Sequence, residues 1–127
     1  MAACPCGGGK YQKCCGRYHG GQWPPTPETL MRSRFSAFAL GNAEYLLQTW
    51  LPATRPPELD LTDNPRWTRL VIEHASQRGA VGEVVFCAYF TEATAGSDVA
   101  AQAEHMMREQ SLFKRVAQRW YYVGAKS

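Results

Sequence analysis

Beyond residue 26 the large side chains of this chain first recur every three or four residues and then, past a proline-rich interval, fall into short runs of apolar, β-branched and aromatic residues. Met31, Arg34, Phe35 and Phe38 repeat at helical spacing and share one predicted face. Thr26 stands where an N-cap belongs, Pro27 suits the first helical position, and Glu28 meets the positive end of the helix dipole. Gly41 closes that helix. Asn42 can cap a second, shorter one with Leu46, Leu47 and Trp50 pointing inward and Pro52 as the stop. From Pro52 to Pro65, prolines and polar residues predict a loop long enough to serve as a lid or a covering segment. Trp67–Ala75, Ala80–Phe90, Ala101–Val116 and Arg119–Gly124 then read as strands. Helices followed by antiparallel strands predict an α+β fold, two helices packed on one face of a curved sheet. Local propensity alone allows a rival reading, a helix over Asp98–Val116, where glycine and proline are absent.

Composition narrows the setting. The chain has 127 residues, 45% of them hydrophobic and 20% charged, which suits one folded domain with a small appendage. The longest apolar run, Val84 to Phe90, is far too short to cross a bilayer and reads as a buried strand, so no membrane partner is expected. Met1-Ala2-Ala3 offers no room for a secretory leader ahead of the first cysteine, and a cytoplasmic location is the expectation. The net charge of +3 is unevenly placed: residues 1–27 hold Lys10, Lys13 and Arg17 and no acid, whereas the remainder balances.

Those cations flank the densest chemistry in the chain. Four of the five cysteines, Cys4, Cys6, Cys14 and Cys15, lie within twelve residues. Adjacent or near-adjacent cysteines close disulfide rings poorly, and in a reducing compartment tight thiol clusters point to metal. Zinc takes four ligands tetrahedrally and accepts thiolates from two chain segments, here Cys4/Cys6 and Cys14/Cys15, so one Zn2+ per chain is expected. Gly7-Gly8-Gly9 lets the intervening backbone fold tightly around the sulfurs. Four thiolates on one divalent ion carry about −2, which Lys10, Lys13 and Arg17 offset. His19, four residues past Cys15, is an alternative ligand should adjacent thiols fail to reach together.

The segment Cys4-Pro5-Cys6-Gly7, Gly9-Lys10-Tyr11, Cys14-Cys15-Gly16 resembles the SEC-C zinc motif known from the tail of the preprotein translocase motor ATPase. This chain has seven residues between its second and third cysteines where the motif usually has eight, and Gly8 where serine is common. Further on, Leu30–Phe38, Tyr45–Trp50, Phe90–Glu92, Glu109–Phe113 and Trp120–Tyr122 are similar, in order, to blocks of the YchJ-like family, which joins a SEC-C motif to a nuclear-transport-factor-2-like (NTF2-like) domain. Arg108 stands where that family tends to have histidine, and Ala117-Gln118 replaces its usual acidic-glycine turn. The resemblance implies a motif over residues 1–22, a cone-shaped domain over 23–127 with a pocket between helices and sheet, and strand rather than helix near Glu109, Ser111 and Phe113. It also implies a protein or ribosome contact through the knuckle.

Within the body, Arg34 on an apolar helix face needs an outlet to solvent or a buried acid partner, and Glu109 is the candidate. That pair reads first as a structural ion pair and second as the charged floor of a pocket, with Ser111 and His74 as further candidates. Glu73 and His74, adjacent on a strand, should point to opposite faces. His105 is a weaker candidate, and Cys87 reads as core packing. No nucleophile motif, phosphate loop or cooperating carboxylate pair appears, so no catalytic residue is assigned. The leading reading is a zinc-binding accessory protein. Its rivals are a small-molecule binder or enzyme using Arg34 and Glu109, and an RNA-binding knuckle using Lys10, Tyr11, Lys13, Arg17 and Tyr18.

Overall fold

The computed structural model describes residues 3–92 and 103–126. A short 3-10 turn (Tyr11–Lys13) leads into α1 (Cys15–His19); α2 (Pro27–Leu40) and α3 (Ala43–Gln48) follow, then β1 (Arg66–Arg78), β2 (Val81–Thr91), β3 (His105–Val116) and β4 (Arg119–Ala125). The strands form one antiparallel sheet in the order β1-β2-β3-β4. Residues 105–116 are therefore strand, and the helical alternative fails there; its earlier part, 98–102, lies outside the described residues.

The caps work as their residue types require. The Thr26 hydroxyl accepts from the Thr29 amide at 3.1 Å, Pro27 opens α2, and Gly41 ends it at φ 72°. The Asn42 amide returns to the Ala37 carbonyl at 2.8 Å, while its side chain accepts from the Tyr45 amide to start α3. Burial on α2 extends beyond the face that Met31, Arg34, Phe35 and Phe38 share. Leu30, Met31 and Phe35 share the core with the sheet residues Val84, Phe86 and Phe113, yet Ser33, Ser36 and Ala37 are also fully buried. The helix is enclosed from both sides, so its small polar residues are seats rather than surface.

The loop after α3 behaves as cover. Leu59 and Leu61 pack beside Ala37, Tyr45 and Leu46, and the Asn64 amide donates to the Phe38 carbonyl at 2.7 Å. Residues 49–51 pair with the last strand: Tyr122 donates to the Thr49 carbonyl and Leu51 to the Tyr122 carbonyl, at 2.8 and 2.7 Å.

Strand β1 carries irregularities between Trp67 and Arg69 and between Ile72 and His74. Its core-packed residues are consequently Trp67, Leu70, Ile72 and Ala75, a spacing that strict alternation forbids and extra residues in the strand permit. His74 is displaced to the exposed side, and Glu73 beside it is exposed as well.

The β3–β4 connection places both Ala117 (φ 51°) and Gln118 (φ 68°) in left-handed backbone. Such a two-residue hairpin turn favours Asn-Gly, and side chains without local hydrogen bonding are strained there. Ala117→Asn with Gln118→Gly is expected to raise stability by about 1–2 kcal/mol, read from the urea midpoint.

Candidate functional site

The cysteine knuckle begins as a miniature hairpin. Ala3 and Lys10 form an antiparallel bridge, Cys4 donates to the Gly9 carbonyl at 2.7 Å, and Gly7 donates to the Cys4 carbonyl at 3.0 Å. Gly7 and Gly9 hold φ values of 86° and 117°, which favour glycine. Gly8 is needed for a different reason: a Cβ there would lie 2.7 Å from the Cys14 sulfur and 3.3 Å from that of Cys6. The serine common in the SEC-C motif therefore does not fit this shorter loop as it stands.

All four sulfurs, of Cys4, Cys6, Cys14 and Cys15, lie within 4.8 Å of one another, and Cys6 and Cys14 approach to 3.5 Å. A tetrahedron of thiolates around zinc, with bonds of about 2.3 Å, has edges of about 3.8 Å. The donor set fits a metal chemically as well as geometrically. Hydrogen bonding, first from Cys15, holds the Cys6 thiol down to about 5. Burial pushes Cys14 up to about 11, and its bond to Cys6 pushes Cys15 up strongly. The Cys6 thiolate is thus favoured, and Cys14 and Cys15 resist ionising beside it until a cation joins them.

His19 lies outside this cluster. Its Nε2 donates to the Ser33 carbonyl at 2.8 Å, so Nδ1 accepts from the Tyr11 hydroxyl at 2.6 Å, and its ring packs at a tilt against Tyr45. With both nitrogens engaged, His19 fastens the knuckle to α2. The Ser36 hydroxyl, 3.4 Å from the Cys4 sulfur, and Arg32, which donates to the Cys6 carbonyl at 3.4 Å, add to the same seam. Burial lowers the His19 pKa. The unfolded chain then gains a proton below about pH 6.5 before the folded one does, so stability present above that pH is lost as pH falls. Urea midpoints between pH 7 and 5 should show this loss, and His19→Gln should lack that part of the slope.

A second feature lies on the opposite side of α2. A cavity of about 250 Å³ opens between the helices and the sheet. Phe35, Phe38, Trp67, Phe86 and Met107 supply apolar wall, while Arg34, Trp50, Glu109 and Tyr122 supply the polar groups. Arg34 is only 2% exposed. Its Nη1 donates to the Leu46 carbonyl and the Thr49 hydroxyl, both at 2.7 Å, and its guanidinium lies over the Tyr122 and Trp50 rings. Burial holds it down to about 10, still a cation at neutral pH.

The expected Arg34–Glu109 ion pair is absent: the two line one cavity, but no nitrogen of Arg34 comes within 4.0 Å of a Glu109 oxygen. Arg34 instead satisfies itself at the end of α3. One Glu109 oxygen, Oε2, accepts from Ser111 at 2.5 Å and from Tyr122 at 3.3 Å. Burial, and then the Glu109 charge, pushes Tyr122 up to about 12. Ser111 is fully buried and serves Glu109 from behind the cavity wall. His74 is not in this site, because the irregularity after Ile72 turns it outward.

Trp50, expected to point inward, lines the cavity just beyond α3, and its Nε1 is buried with no hydrogen-bond partner among the described residues, which sequence reasoning did not foresee. It also missed a cluster on the far side of the sheet, where Cys87 donates to Glu73 at 2.8 Å and Arg108 pairs with the same carboxylate at 3.1 Å. The Glu73 carboxylate raises the Cys87 pKa, which agrees with a quiet packing thiol. His105 is exposed and stacks near Phe90.

Comparison with known proteins agrees with both halves. Residues 26–125 match the family described as the YchJ middle NTF2-like domain. A UPF0225 protein of Chromobacterium violaceum is 46% identical over 97% of this chain and 91% of its own length. The solution structure of a SEC-C motif containing protein from Rhodopseudomonas palustris superposes with a TM-score of 0.81 at 30% identity, covering 99% of this chain and 98% of that one. The crystal structure of a SEC-C motif containing protein from Psychrobacter arcticus gives 0.79 at 26% identity, over 100% and 85%. With its cysteine knuckle seated on a cone of helices and sheet, the chain belongs to the YchJ-like, UPF0225 family of SEC-C motif proteins.

Proposed function

We propose that this protein is a small-molecule receptor whose cone is braced by one structural zinc ion. Cys4, Cys6, Cys14 and Cys15 would hold the zinc. Four protein thiolates leave no position for substrate, which suits a structural rather than a catalytic ion. Reduced thiols poised for metal suit the cytoplasm. The observation that carries the receptor reading is a charged, almost fully buried Arg34 on the wall of a largely apolar cavity that Glu109 also lines.

The test is direct. Indole added to the zinc-loaded protein should shift the methyl NMR signals of Met31 and Met107, both on the cavity wall, ahead of that of Met106 on the outer side of the sheet. Met31 and Met107 signals unmoved by indole and by polar neutral probes of the same size alike would sink the reading.

One observation favours a second role. Lys10, Lys13 and Arg17 are exposed on the knuckle and take part in no ion pair among the described residues, leaving a cationic face for a protein or ribosome. Co-sedimentation with ribosomes that weakens with salt and vanishes in Lys10→Glu with Lys13→Glu would support it. Equal sedimentation of the variant would remove it.

A further inference from the structure

The cavity holds two opposite charges that do not touch, and that separation constrains what can enter. Arg34 offers a cation on the α2 side, and Glu109 offers a carboxylate on the β3 side. They stand more than 4.0 Å apart at their nearest polar atoms. Arg34 forms its hydrogen bonds to described residues through Nη1 alone, and Glu109 accepts its two through Oε2 alone. The Trp50 indole lines the same cavity, with the Arg34 guanidinium over its ring.

Resting on the receptor reading, we infer that the cavity takes a ligand of zero net charge with a hydrogen-bond acceptor beside a donor on a compact apolar body. The acceptor meets Arg34, the donor meets Glu109, and the body lies against Phe35, Trp67 and Phe86. An anion would satisfy Arg34 but bring its charge toward Glu109. A cation would do the reverse, and both would be desolvated against apolar walls. A primary amide and a zwitterionic amino acid both carry the required pair of groups.

Five probes of similar size decide this: phenylacetamide, zwitterionic L-phenylalanine, phenylacetate, phenethylammonium and ethylbenzene, each titrated into the zinc-loaded protein with the Met31 and Met107 methyls as reporters. Phenylacetamide or phenylalanine should bind at least about tenfold tighter than the other three, a ratio worth about 1.4 kcal/mol. The stronger of the two says whether the donor is an amide or an ammonium. Glu109→Gln keeps the shape and removes the charge, and should tighten phenylacetate by about tenfold while leaving ethylbenzene unchanged. Phenylacetate or phenethylammonium as the tightest probe of the unsubstituted protein would overturn the inference, as would an unchanged phenylacetate affinity in Glu109→Gln. Ethylbenzene matching the amide would overturn the ligand class and leave the receptor reading intact. Silence from all five, ethylbenzene included, would remove the receptor reading itself.

Discussion

Removing the metal, by chelation or by Cys4→Ser with Cys6→Ser, should release one zinc ion per chain and lower stability by about 5 kcal/mol. Structural zinc contributes roughly 10–16 kcal/mol of apparent binding energy in isolated zinc-finger peptides, where nothing else holds the fold. Here the sheet and α2 have a core of their own, so the loss is confined to the knuckle and its seam. That seam is substantial: Cys4, Cys6 and Cys15 belong to the same buried cluster as Leu30, Met31 and Phe35. Without the ion, thiols that resist ionising lose their common partner, and the His19–Ser33 and Cys4–Ser36 contacts lose their anchor. Metal analysis and urea denaturation of both forms check this. A metal-free protein with the same midpoint and the same near-ultraviolet circular dichroism would refute it.

Arg34→Ala should cost about 3–5 kcal/mol, the range of a large buried truncation that also strands hydrogen-bond partners. The guanidinium links α2 to the last turn of α3 through the Leu46 carbonyl and Thr49, and it fills the space between the Tyr122 and Trp50 rings. Arg34→Lys keeps the charge but not the planar fork and should recover only part of the loss. Glu109→Gln provides the contrast. Because Glu109 makes no ion pair with Arg34, its neutral replacement should cost under about 1 kcal/mol, whereas a direct buried pair broken on one side would cost roughly 3–5. Urea midpoints of the three variants separate the alternatives, and a large loss in Glu109→Gln would reinstate the ion pair.

Several features were legible because their causes are local. Thr26-Pro27 and Gly41 bound α2 through side-chain capping and left-handed backbone, properties of single residues. The cysteine spacing announced a cluster for a similar reason, since the thiols come from two short neighbouring segments. Features that depend on a distant partner were not legible. The displacement of His74 arises from the pairing of β1 with β2, and no local pattern marks the extra residue. The partners of Arg34 include a backbone carbonyl of α3, which has no signature in the side-chain sequence. Ser33, Ser36 and Ala37 resemble a solvated helix back until the knuckle is placed over them.

That double enclosure of α2 bears on how the protein can be dissected. The family match begins at residue 26, which invites a truncation that discards everything before it. Such a chain would lay open Ser33, Ser36 and the inner edge of Leu30, and it would strip His19 from the Ser33 carbonyl and the Tyr45 ring. The border of the matched NTF2-like domain therefore differs from that of the packed unit, which takes in the knuckle. A shortened protein that fails to bind a ligand would report a collapsed wall rather than a missing contact, and point substitutions in the intact chain are the sounder instrument.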